Sequence, residues 1–182
     1  MLASATTTPV PPGTIATVPA SSRYLTFALN AEVFGLDIAN VTEILELRHL
    51  TTVPMMPSFI RGVINLRGRV VPVIDLAIRF SRGTTAIAHR TSIIIIRIDN
   101  PAQDATQDIG ILVDAVNEVV HLEPEDIEPA PAFGAGIRAD YISGMARREH
   151  DFTILLDINR VLSLTDMLTL NQAAADEGAV GS

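Results

Sequence analysis

The sequence predicts an all-β fold with minor α content: two pseudo-symmetric β-barrels of about five short strands each, with short helices between them and a C-terminal helix. Three observations predict it. Short segments rich in Val, Ile and Leu are punctuated by Gly, Pro, Asp and Asn, the pattern of closely spaced strands and turns. One of them, residues 92–98, is apolar without alternation as far as Arg97, as a strand covered on both faces would be. The chain also repeats itself, so each half is expected to build the same unit.

The elements follow in order. Residues 1–22 carry no charged side chain and intersperse Pro9, Pro11, Pro12 and Pro19 among Thr, Ser and Ala, which reads as a disordered tail. Strands are expected at 24–29, 33–38, 63–66, 70–74, 92–98 and 109–113. In the first of these, Leu25, Phe27 and Leu29 alternate with Thr26 and Ala28, the mark of a strand with one buried face. Asp75 and Asp157 each precede an apolar run and read as helix N-caps. A short helix then follows the first barrel, and a longer one, with Ile158, Val161, Leu162, Thr165 and Leu168 at helical spacing, packs on the second. The folded unit is residues 23–170, made of two interleaved halves at roughly 23–83 and 90–170, and residues 171–182 form a flexible tail.

The repeat is read at two offsets. Moving forward by 82 residues carries Phe59-Ile60-Arg61-Gly62-Val63 onto Tyr141-Ile142-Ser143-Gly144-Met145, and Val73, Ile74 and Asp75 onto Leu155, Leu156 and Asp157. Upstream the offset is 75, which brings Gly35 onto Gly110, Val41 onto Val116, Glu43 onto Glu118 and Ile44 onto Val119. The second half therefore holds about seven extra residues, placed at 133–140. Units that close on themselves shield their edge strands, hence two barrels side by side.

Composition removes several classes of function. With 182 residues, 48% of them hydrophobic, the chain can bury a substantial core. Its net charge is -8, all 13 cationic side chains are arginine and aromatics are few, so nothing favours nucleic acid as a partner. The longest unbroken apolar run, residues 93–96, is far short of the roughly 20 residues of a membrane helix. Without cysteine there is no disulfide, thiol nucleophile or thiolate metal site, in keeping with a cytoplasmic protein.

No catalytic constellation emerges. His49, His89, His121 and His150 lack metal-ligand spacing. Gly134-Ala135-Gly136-Ile137-Arg138-Ala139 fits a dinucleotide pattern in letters, but it follows Pro129 and Pro131 rather than a strand. Neither catalytic residues, a cofactor nor a metal are expected. The reading is a binding protein, with a small β-barrel ligand-binding protein or enzyme as the competing class.

The segment Phe59-Ile60-Arg61-Gly62-Val63-Ile64-Asn65-Leu66-Arg67-Gly68-Arg69-Val70-Val71-Pro72-Val73-Ile74-Asp75-Leu76 resembles the signature block of the CheW family. Phe34-Gly35-Leu36-Asp37-Ile38, Val41-Thr42-Glu43-Ile44 and Gly110-Ile111-Leu112-Val113-Asp114-Ala115-Val116 resemble further family segments in the same order. The resemblance covers about residues 22–170. It implies two SH3-like barrels without catalysis, in an adaptor that couples the cytoplasmic helical hairpin of chemoreceptors to the regulatory domain of the histidine kinase CheA. It also implies a cytoplasmic location, with recruitment to membrane-associated receptor arrays. A CheW-like adaptor of another sensory pathway, such as surface motility, shares these features and stays open.

The same resemblance places Asn65 and Arg67 in the receptor-binding surface, with Gly68 completing a tight turn that favours positive φ. It sets Glu43 close enough to pair with Arg67. Receptor tips are helical hairpins, so Val41, Ile44, Val116 and Val119, equivalent in pairs under the offset of 75, are expected to line an apolar groove. Burial in the core is the competing reading for these four. The second hairpin has Glu149 and His150 where the first has Arg67 and Gly68, which favours a partner-specific role for the first.

Overall fold

The structure, a computed structural model, describes residues 22–47, 49–100, 104–130 and 139–162. Strands β1 (Ser22–Leu29), β2 (Glu32–Asp37), β3 (Val41–Glu46), β4 (Ile60–Leu66) and β5 (Arg69–Asp75) lead to the short helix α1 (Leu76–Arg79). The second half follows with β6 (Ser92–Asn100), β7 (Ala105–Val113), β8 (Ala115–Leu122), β9 (Ile127–Glu128), β10 (Ile142–Arg147), β11 (Phe152–Leu156) and α2 (Ile158–Val161). Residues 1–21 of the uncharged N-terminal stretch, most of the seven-residue insertion, the C-terminal helix beyond Leu162 and the C-terminal tail lie outside the described residues; Ser22, expected in the tail, instead opens β1 by pairing with Leu122 of β8.

The strands form two sheets. Row A has the order β8-β1-β2-β11-β10-β9 and row B the order β3-β6-β7-β5-β4. Each row mixes the two halves of the sequence. The hairpin β4-β5 of the first half adds in parallel to β7, Val73 facing Gly110, and the hairpin β10-β11 of the second half adds in parallel to β2, Leu155 facing Gly35. These contacts are the same contact twice, related by the two offsets of the repeat. A Cβ added at Gly35 would lie 2.8 Å from Leu155, and one at Gly110 2.8 Å from Ile93 and 3.2 Å from Val73, so both exchanges require a residue without a side chain.

Closed five-stranded barrels are not what forms. Edge strands β3 and β4 make no ladder with each other; the chain leaving β3 reaches β4 through a single bridge, Thr51 with Val63. In row A the chain leaving β8 reaches the opposite edge as β9, two residues long. Proline explains both interruptions, because it cannot donate to a ladder: Pro54 and Pro57 follow the bridge, and Pro129 follows β9.

The main core lies between the rows. Leu25, Phe27, Phe34 and Leu36 of row A meet Ile94, Ile96, Ile109 and Ile111 of row B, with Leu76, Ile158, Val161 and Leu162 from the helical turns. The other face of β6 supplies Ile93 and Ile95 to a second cluster inside row B, with Val71, Val73 and Leu112. β6 is thus covered on both faces, as its unbroken isoleucine run requires. Thr26 departs from the alternation expected for β1: it is fully buried. A register shift between Leu25 and Phe27 opens the pairing with β8, and the Thr26 hydroxyl fills the gap, donating to the Glu118 carbonyl at 2.7 Å and accepting from its N–H at 3.2 Å.

Both predicted caps form. Asp75 accepts from Ala77 N–H at the start of α1, and Asp157 accepts from Arg160 N–H in α2.

Candidate functional site

The turn between β4 and β5 has two residues, Arg67 and Gly68, with φ of 52° and 82°. Positive φ at both positions is the geometry that matches the twist of a tight hairpin, and Asn-Gly fills it with least strain. An arginine in the left-handed region costs about 1–2 kcal/mol, a strain this fold also accepts at Ala31 in the β1-β2 turn and at Met55. Asn65 stabilises the turn from its base, its side-chain oxygen accepting from Gly68 N–H at 2.8 Å. That bond gives Asn65 a structural task.

Arg67 projects from the tip with 73% of its side chain exposed and donates to Glu43 of β3 at 3.0 Å. The expected pair is present. It spans the gap between the two unpaired edges of row B and holds a flexible guanidinium in one direction. An exposed pair contributes at most about 1 kcal/mol, so orientation is its main effect.

A second ion cluster stands beside it. Asp108 of β7 is 8% exposed and meets Arg97 of β6 at 3.1 Å and Arg69 of β5 at 3.4 Å. Arg69 shares its face with Val71 and Val73, and Arg97 shares its face with Ile93 and Ile95, so the cluster closes the mouth of the row B interior. Arg69, Arg97 and Asp108 were not among the residues picked out from sequence. The available signal was Arg97 ending an isoleucine run and Asp108 opening the apolar stretch that pairs with it.

The four apolar candidates divide. Val41 and Val116 are partly buried and pack against the core between the rows. Ile44 and Val119 are 45% and 49% exposed. Ile44 pairs with Ile94 and Val119 with Leu25, both core residues, so each stands on the core-facing side of an edge strand and forms an exposed rim of that core. No group of acidic and histidine side chains able to hold a metal ion occurs among the described residues, and none of their helices is long and apolar enough to cross a membrane.

Two strand rows exchanged about a common core, with charged and apolar side chains displayed at their edges, define a mostly β protein whose described surface offers contacts and no catalytic cluster among the described residues. The CheW-like domain profile matches residues 23–166, and the chain belongs to that family. It is 34% identical to the chemotaxis protein CheW of Klebsiella aerogenes, over 84% of this chain and 88% of that one, and 31% identical to the chemotaxis protein CheW of Bacillus subtilis, over 81% and 90%. The crystal structure of the scaffolding protein TtCheW from Thermoanaerobacter tengcongensis matches with a TM-score of 0.67 at 35% identity, covering 75% of this chain and 88% of that one. Chemotaxis is therefore the process in which this chain acts, and its part there is an adaptor's.

Proposed function

We propose that the chain is a cytoplasmic, non-catalytic coupling protein that holds the helical hairpin tip of a chemoreceptor and the regulatory domain of CheA together in receptor arrays. The observation that carries this reading is Arg67 itself, exposed at the tip of a two-residue turn and oriented by Glu43. Ile44 and Val119, on the rim of the core, offer apolar side chains to a helix carrying residues at i, i+3, i+4 and i+7. The exchanged rows support reading each sheet as an opened SH3-like barrel.

Calorimetric titration with a receptor cytoplasmic hairpin, and separately with the kinase regulatory domain, tests the reading. Binding to both at separable sites is expected. Arg67→Ala is expected to weaken the receptor contact by about tenfold or more while lowering stability by at most about 1 kcal/mol, and Ile44→Asp to abolish it in a folded protein. Binding of neither partner by the wild-type chain overturns the proposal.

A further inference from the structure

Three arginines and two carboxylates meet at one end of row B. Glu43 pairs with Ile95 of β6, which puts it on the interior face of the sheet, and Arg97 follows two residues along β6 on the same face. Arg97 pairs in turn with Asp108 of β7, and Arg69 opens β5 on the face of Val71 and Val73. The hairpin closed by Leu66 and Arg69 carries Arg67 back to Glu43. The Arg67–Glu43 pair and the Asp108 cluster are therefore two parts of one ring around the mouth of the row B interior.

The architecture does not require the cluster. The offset of 82 puts Asp151 at the position of Arg69 and the offset of 75 puts Val33 at that of Asp108. Thr26 faces Gly35 as Ile95 faces Gly110, which makes Ala28 the counterpart of Arg97. Row A thus builds the same topology without it. As a lid on an apolar interior, an ion cluster is also no better than apolar side chains of like volume; what it supplies beyond them is charge. Three guanidiniums against two carboxylates leave one positive charge, on a chain whose net charge is -8. Arg97 gives its Nε and Arg69 its Nη1 to Asp108, and the two side chains stay 52% and 68% exposed. The buried carboxylate fixes both guanidiniums while leaving further donors open to a partner.

We propose that Arg69 and Arg97 belong with Arg67 to one recognition face, and that the receptor hairpin presents a carboxylate side chain to it. This rests on the receptor contact read above for Arg67. The incoming carboxylate would bridge the guanidiniums of Arg69 and Arg97, whose planar forks match it. Asp108 holds them in advance, so little order is lost on contact. A positive ring at one end of an acidic protein would also steer the encounter.

The test is calorimetric titration of the full chain with the receptor cytoplasmic hairpin at about 0.05 and about 0.5 M salt, with the kinase regulatory domain as the control partner. Wild-type affinity for the receptor is expected to fall by about tenfold or more between the two salts. The triple variant Arg69→Gln, Arg97→Gln, Asp108→Asn removes the cluster without stranding the buried carboxylate. It is expected to bind the receptor about tenfold more weakly at low salt, to respond less to salt, and to bind the kinase domain as the wild type does. Should the triple variant fail to fold, Arg69→Gln alone, which leaves Arg97 on Asp108, is expected to weaken the receptor contact by about threefold. Acidic residues of the hairpin are also replaced by glutamine one at a time; one replacement is expected to weaken binding to the wild type by about tenfold and to leave binding to the triple variant unchanged. Receptor affinity that ignores salt and the arginine variants, or a loss confined to the kinase domain, overturns this inference and leaves the coupling role standing. A wild-type chain that does not bind the receptor overturns both.

Discussion

Row A and row B share one topology but fill it differently. The interior of row B is apolar, with Val71, Val73, Ile93, Ile95 and Leu112 buried together and an ion cluster over its mouth. At the equivalent places row A has Thr153, Leu155, Tyr24, Thr26 and Asp37. Burial and the neighbouring Asp37 carboxylate hold the Tyr24 phenol above its ordinary pKa, against a hydrogen bond from Ser22. The caps differ likewise. Asp75 is fully buried and accepts from Ala77 N–H, Thr85 N–H, the Thr85 hydroxyl and Arg61. Asp157 is partly exposed and makes longer contacts with Arg160. Duplication supplied two copies of one architecture; row B kept the tighter interior, and row A has polar groups and space where row B has packing.

Substitutions sharpen this contrast, and the caps should show it most. Asp75→Ala strands the partly buried Arg61 and unpairs the Thr85 groups, so a loss of about 3–5 kcal/mol is expected by chemical denaturation. Asp157→Ala should cost about 1 kcal/mol, the usual effect of a lost N-cap. Equal losses would show that the halves bear load equally and break the comparison.

The interiors come next. Ile95→Thr puts the row A residue into row B and should cost about 2–4 kcal/mol, through lost burial and an unsatisfied hydroxyl. Removing the hydroxyl from row A instead, Thr26→Val gives up two bonds to Glu118 but gains apolar burial, and is expected to cost about 1 kcal/mol or less. Thermal unfolding of both variants checks the ordering. The smallest effect belongs to the turn: Arg67→Asn relieves the left-handed arginine and is expected to raise stability by about 0.5 kcal/mol while weakening the receptor contact proposed for this turn. A fall in stability would identify the Glu43 pair as structural.

Much of this organisation was legible in the sequence because it rests on local chemistry. Alternation marked β1, the isoleucine run marked β6 with its two cores, and Asp75 and Asp157 marked the helical turns. β3 and β8 escaped the strand pattern because edge strands bury only part of one face and carry Thr42, Glu43, Asn117 and Glu118 among their valines. The open rows were missed because a repeat reports similarity between segments and is silent on which copy each strand pairs with. At the site, the Glu43–Arg67 pair was foreseen through family resemblance, whereas the cluster at Asp108 depends on parallel β5-β7 pairing, which no local pattern encodes. Val41 and Val116 illustrate a further limit: a valine in a strand looks alike from the sequence whether it fills a core or lines its rim.

The crossing of strands between halves also bears on how the molecule comes into being. A first half made alone would carry β3 and the β4-β5 hairpin without β6 and β7, the strands they pair with, and would leave β2 without β11. Its remedy would be a second identical chain offering the same unmet edges, each embracing the other as in a swapped dimer. The present chain supplies both sets of edges in one polypeptide, with residues 80–91 joining the halves. During synthesis, row B cannot be completed until β7 has emerged, nor row A until β11 has. The nascent first half therefore waits, its edges unpaired, for a partner that arrives on the same strand of polypeptide.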